Sequence, residues 1–270
     1  MCQTVTLDDI LYSITHSNNS TAGPDGILFA AWRAAPELAA PILLNVFTSI
    51  SKGQPPPNNF NNGLLFLLPK KQTGLISDTR PLSVTNTDNR IIAAAVAHKV
   101  MPAVLDIVDP AQKGFLNGRS GSDHILDINT FFYEGVENNI NRHLFLLDTA
   151  KAFDSIDHEW IYTIIKHLNF PPWFFHFVRG ALTNVNVSPC FGSATSHFID
   201  IERGVKQGCP LSPLLFIIAY DPLLSALSHI PHINYFAFAD DLAITTDAVI
   251  SIYPALSCIS LFFFYFSPRY

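Results

Sequence analysis

Charge is what this chain has least of. Only 14% of its residues are Asp, Glu, Lys or Arg, against 49% hydrophobic and 12% aromatic. Such a composition excludes a disordered segment and supports a sizeable core. A basic excess is missing as well. The formal net charge is −6, so the whole chain lacks the positive footprint that phosphate binding favours. Cysteine is sparse: Cys2, Cys190, Cys209 and Cys258 form no Cys-x-x-Cys pair and give no support to a zinc site. The N-terminus has no basic start and is interrupted by Asp8 and Asp9, unlike a secretory signal. A reducing intracellular compartment, nucleus or cytoplasm, is the expectation. No Gly-x-x-x-x-Gly-Lys phosphate loop and no Gly-x-Ser-x-Gly elbow occurs, so nucleotide hydrolase and esterase readings lack support. The ten histidines include one close pair, His229 and His232 around Pro231, and read as incidental.

What is present is a set of carboxylates at the ends of apolar runs. His143-Leu144-Phe145-Leu146-Leu147 ends in Asp148, and Phe238-Ala239 leads into Asp240-Asp241. Adjacent carboxylates repel unless a cation sits nearby. Three of them converging make a hard, oxygen-rich site suited to Mg²⁺, with Mn²⁺ as the alternative. Two such ions about 4 Å apart would clamp the attacking and leaving oxygens of a phosphoryl displacement. The competing reading, ordinary turn acids, suits each aspartate alone but not the flanked set.

Further blocks stand around these acids. Gly23-Pro24-Asp25-Gly26, Leu68-Pro69-Lys70-Lys71, Thr79-Arg80-Pro81-Leu82-Ser83, Gln112-Lys113-Gly114-Phe115 with Gly118-Arg119-Ser120, and Gly204-Val205-Lys206-Gln207-Gly208-Cys209-Pro210-Leu211-Ser212-Pro213 occur in that order. Together with the Asp148 and Asp240-Asp241 segments they resemble the reverse transcriptase domain of non-LTR (LINE-like) retrotransposons, over nearly all of residues 5–247. Thr79 departs from the pattern, where the family usually has an aromatic residue before Arg-Pro. The resemblance implies an α+β, right-hand polymerase fold with fingers and palm, the palm sheet carrying helices on one face. It places the N-terminal extension and fingers at 1–142, the palm at 143–247 with a helical excursion near 159–184, and an apolar tail at 248–270. The chain is read as ending before the thumb.

The implied activity is RNA-directed DNA polymerisation: two-metal nucleotidyl transfer from a dNTP to a primer 3′-hydroxyl on an RNA or DNA template. No stable protein partner is expected. Asp148, Asp240 and Asp241 are the expected catalytic metal ligands. In the family an aromatic at the place of Phe153 lies under the sugar and excludes a 2′-hydroxyl. Gln207 and Gly208 are expected beside the nucleotide or templating strand, glycine permitting close approach. Lys70 and Arg80, with Lys71 beside them, are expected to reach the triphosphate, and Arg119 the template backbone. Asp154 and Asp157 read as acids at helix N-termini. Residues 70–119 hold seven Lys and Arg against four Asp and read as a basic wall. The alternative function is a truncated, inactive retroelement fragment that serves at most as a nucleic-acid-binding module.

Periodicity predicts a helix from Leu7 capped by Thr6 and Asp9, helical pattern over 27–51 broken near Pro36 and Pro41, and a helix over 90–108 kinked or broken at Pro102. Strands are expected at 64–68, 144–148, 185–191, 198–202, 233–238 and 242–246. Residues 248–266 carry no charge and number nineteen, close to a membrane span. Pro254, three serines and the lack of a basic cluster favour a buried helix, with a membrane anchor as the alternative.

Overall fold

The computed structural model describes residues 3–70, 75, 78–149, 151–191 and 194–267. The chain opens on the capping box that Thr6 and Asp9 encode. The Thr6 hydroxyl accepts from the Asp9 amide, and the Asp9 carboxylate accepts from the Thr6 amide at 2.7 Å. Helix α1 (Leu7–Thr15) follows, burying Ile10 and Ile14. Next come α2 (Phe29–Ala34) and α3 (Pro36–Ser51). Pro36 sits in the first turn, where its missing N–H is harmless. Pro41 does not break α3 as expected. Ala39, Ala40, Leu43, Phe47 and Ile50 are all buried, and their packing carries the helix past the lost bond.

Two sheets divide the strands. The first has β1 (Gly63–Pro69) at its centre, antiparallel to β2 (Thr79–Thr85) and parallel to β4 (Asn186–Phe191). Short β5 (Ala194–Thr195) and β6 (Ile199–Asp200) pair with β4. Strands β4, β5 and β6, within the span expected to be palm, thus share a sheet with β1 and β2 from the span expected to be fingers. The cause is the parallel register Gly63↔Val187 to Leu65↔Pro189, a pairing between segments far apart in sequence. The second sheet runs β3-β8-β7, from β3 (His143–Leu147), β8 (Asp241–Thr246) and β7 (Ile233–Phe238), all antiparallel.

Helices α4 (Thr87–Ile107) and α9 (Ser212–Leu227) form the centre of the core. α9 is apolar all round and buried along most of its length, as such a helix must be. Pro102 and Pro222 lie inside α4 and α9, which continue through them. Between the sheets in sequence lie α5 (Gly121–Glu137), the short α6 (Ala152–Ser155), α7 (His158–His167) and α8 (Pro172–Leu182).

The tail is α10 (Ile252–Phe266), preceded by a 3₁₀ turn at Val249–Ser251. Its inner face packs on α9 and α7. Phe262 meets Trp160 and Tyr220 edge-on, Phe266 meets Phe216, and the Asp157 amide donates to the Phe266 carbonyl at 2.9 Å. The outer face exposes Tyr253, Leu256, Leu261 and Phe264. Among the described residues, Val249–Phe266 is the one helical stretch long and apolar enough to cross a membrane by length and composition, and a third of it is buried.

Candidate active site

Asp148 leaves the end of β3, and Asp240 and Asp241 occupy the turn into β8. The register pairs Leu147 with Leu242. Carried one residue further, it sets Asp148 across from Asp241. Ala239 makes the turn with φ +55°, in the left-handed region. The Thr149 hydroxyl donates to the Asp240 carbonyl at 3.4 Å, tying the two acid-bearing segments together.

A cleft of about 1330 Å³ opens between the two sheets, and Asp148, Asp240 and Asp241 line it. Burial pushes the Asp240 carboxyl above the usual carboxylate range. Asp241 and Asp148 push it the same way, and Arg80 opposes them. The three acids therefore sense one another. Among the described residues no three His, Cys, Asp or Glu side chains close into a ready-made metal cluster, so the acids share a wall of the cleft without forming a cage. Their chemistry fits a hard divalent cation. All three offer carboxylate oxygen, and a cation would relieve the repulsion felt at Asp240.

Lys70, just past β1, and Arg80, near the start of β2, line the same cleft, both exposed. Lys71 lies outside the described residues. Phe153 is half-buried in the same cleft. Its ring stacks on Phe216 at 4.4 Å and meets Phe115 edge-on at 6.1 Å. Gln207 and Gly208 also line the cleft, and the Gln207 amide donates to Asp154 Oδ1 at 2.8 Å. Burial raises the Asp154 carboxyl, while the Gln207 bond and the charges of Lys151 and Lys70 lower it. Asp157 caps α7 by accepting from the amides of Glu159 and Trp160.

The glycines of this loop are demanded by the protein's own backbone. Gly208 has φ +113°, and a Cβ there would come within 2.8 Å of the Ser83 carbonyl oxygen. The Ser83 amide in turn donates to the Gln207 carbonyl at 2.8 Å. Gly204, at φ +76°, would meet the Asp154 backbone at 2.7 Å.

Arg119 does not reach the cleft. Its guanidinium donates to the carbonyls of Leu105, Val108, Asp109 and Gln112, at 2.7–3.1 Å, closing the C-terminal end of α4. The expected basic wall is largely spent in the same way. Arg90 is buried, bonded to Ser20 and Thr21 and stacked over Phe29; Lys99 pairs with Asp9 at 2.9 Å; Lys113 pairs with Asp123 at 3.5 Å. Cations of the cleft that sequence reasoning did not single out are Lys151, Arg203 and Lys206. Their signal was weak, since each stands in or beside a motif at a position to which no role was assigned.

A family model described as reverse transcriptase (RNA-dependent DNA polymerase) matches residues 68–259. The chain is 31% identical over 240 residues to the Pol polyprotein of the type-2 retrotransposable element R2DM of Drosophila melanogaster, covering 84% of this chain and 22% of that protein. It is 32% identical over 202 residues to an R2 element Pol polyprotein of Popillia japonica, covering 69% and 27%. A Xenopus laevis transposon TX1 protein of 149 kDa matches at 26% over 225 residues, covering 83% and 17%. The chain thus spans about a quarter or less of the length of these curated relatives. Among solved structures, apo telomerase from Candida tropicalis superposes with a TM-score of 0.58 at 14% identity, over 87% of this chain and 52% of that one. That likeness concerns the fold, the right-hand polymerase arrangement. With the family match covering most of its length and its acids meeting in one cleft, the chain belongs to the reverse transcriptase family.

Proposed function

We propose that this chain polymerises DNA on an RNA template, extending a primer 3′-hydroxyl with deoxynucleoside triphosphates. The observation that carries the reading is that Asp148, Asp240 and Asp241 line one cleft together with Lys70 and Arg80. The primer hydroxyl attacks the α-phosphorus; the new P–O bond forms as the bond to the β-phosphate breaks and pyrophosphate leaves. Asp148, Asp240 and Asp241 would hold two divalent cations, which would favour the attacking alkoxide and steady the departing charge. Arg80 grips phosphate oxygens bidentately and Lys70 adds a point charge. Phe153, held flat on Phe216, lies under the sugar. Gln207, its amide nitrogen held by Asp154, would lie beside the nucleotide or the templating strand.

Primer extension on an RNA template in Mg²⁺ or Mn²⁺ tests this. Extension that vanishes in Asp148→Asn and Asp240→Asn, with both variants folded, is the expected result. Extension unaffected by Asp148→Asn would overturn it. Primer–template binding without any extension would leave the chain a nucleic-acid-binding module.

A further inference from the structure

Gln112 is fully buried, with no exposed surface, yet its side chain lies far in sequence from any acid of the cleft. It grips one residue. Its amide nitrogen donates to the Ala239 carbonyl at 3.1 Å, and its carbonyl oxygen accepts from the Ala239 amide at 2.8 Å. The same oxygen accepts from the Gly114 amide at 2.9 Å. These bonds fix the orientation of the amide, because a flipped group would set its NH₂ against two N–H donors. Ala239 is the left-handed residue immediately before Asp240 and Asp241. For a residue with a Cβ that conformation is uphill and persists only where the surroundings hold it.

The surroundings here are built for that purpose. The Lys113 amide donates to the Ala237 carbonyl at 2.8 Å and the Ala237 amide to the Ala111 carbonyl at 3.0 Å, so Gln112 is joined to β7 by a single parallel β-bridge. A Cβ on Gly114 would come within 2.3 Å of the Ala239 nitrogen, so only glycine permits this approach. Arg119 holds the segment from behind through the Gln112 carbonyl at 2.9 Å. A conformation costly for alanine, a buried amide bonded through both its nitrogen and its oxygen, and a glycine-only contact all meet at one turn.

We infer that Gln112 is a positioning residue: through its paired bonds to the Ala239 backbone it sets the turn that aims Asp240 and Asp241 into the cleft. The inference rests on the reading of those acids as cation ligands only for its consequence, not for the clamp itself. Gln112→Met keeps the side-chain length and removes all three bonds. Gln112→Asn keeps the amide one carbon short of reach.

Hydrogen–deuterium exchange of the full chain is the first readout. At least tenfold faster exchange over residues 237–242 is expected, with α3, α9 and the first sheet unchanged. The second is Mn²⁺ affinity by titration calorimetry, expected to weaken at least fivefold while the thermal midpoint moves by only a few degrees. Wild-type exchange at the turn in both folded variants would overturn the clamp. Altered exchange with unchanged Mn²⁺ affinity would overturn its role in aiming the acids. Failure of both variants to fold would assign Gln112 to the core and overturn it too. Absence of Mn²⁺ binding by the wild-type chain would count against the polymerase reading instead, and the exchange result would still decide the clamp.

Discussion

Lys206 is a cation with almost no water around it. Its ammonium donates to Asn61 Oδ1 at 3.3 Å, and burial lowers its pKa to about 8. The unfolded chain binds that proton more tightly, so folding stability rises with pH between about 8 and 10.5 and carries the full penalty below 8. Lys206→Met should therefore stabilise the protein at pH 7 by up to about 3 kcal/mol, the free-energy equivalent of a shift of this size. Asn61 Oδ1 keeps its bond from Asn89 at 3.2 Å in that variant. Urea midpoints at pH 7 and pH 10 check this. The gain should shrink at the higher pH, and a gain independent of pH would show that packing, not charge, is responsible. Phe153 carries a different prediction. With Phe216 stacked beneath it, Phe153→Val should leave the fold intact and let ribonucleotides compete, by about tenfold or more if the lost exclusion is worth about 1.4 kcal/mol. Steady-state incorporation of dNTP against rNTP measures it, and unchanged discrimination returns Phe153 to the core. Residues of this kind differ in how far sequence exposes them. Asp148 and the Asp240-Asp241 pair stand out in the sequence because each follows an apolar run, and the structure sets them in one cleft. Gln112, Arg119 and Lys206 are not, since their roles depend on which distant backbone group they meet.

Helices and strands were legible where one local signal sufficed. The Thr6–Asp9 box, for example, starts α1. Signals that compete were misleading. Pro41 punctuates the sequence, yet α3 continues because buried residues lie on both sides of it. Strand β2, with Pro81 inside it, read as a motif and not as a strand; it pairs with β1 from the sheet edge, where a missing N–H is tolerated. The tail helix was expected to be buried and is buried on one face only. Pro41 gives a test at this scale. It is exposed and lies in the second turn of α3, where the Glu37 carbonyl loses its helical donor. A proline inside a helix costs about 3 kcal/mol, and replacing it returns about 0.5–1 kcal/mol of freedom to the unfolded chain. Pro41→Ala should therefore raise stability by roughly 2 kcal/mol in urea denaturation. A destabilised variant would mean that α3 is bent at this point to fit its neighbours.

At the scale of the whole molecule, the cleft exists because chain segments far apart are sewn together: β1 to β4 in the first sheet, β3 to β8 in the second. Long-range pairing of this sort leaves little trace in periodicity, whereas the order of the motifs along the chain carried the overall fold. Charge distribution was the part that sequence order misrepresented. The cations of residues 70–119 point mostly inward, and Lys70, Arg80, Lys151 and Arg203 are the exposed or half-buried ones lining the cleft. The same cleft is lined by Asp148, Asp154, Asp200, Glu202, Asp240 and Asp241, on a chain of net charge −6. Binding of a primer–template therefore has few phosphates to neutralise. With four such contacts, or five if Lys71 joins, log K should fall with log salt at a slope of about −3 to −5, taking about −0.9 per phosphate for a duplex. Affinity would drop roughly 10²–10³-fold between 50 and 200 mM salt, leaving little or no extension at physiological ionic strength. Fluorescence anisotropy of a labelled primer–template across that range measures the slope. A slope steeper than about −7 would require a basic surface outside this cleft, and salt-tolerant extension would show that contacts other than phosphate neutralisation hold the duplex.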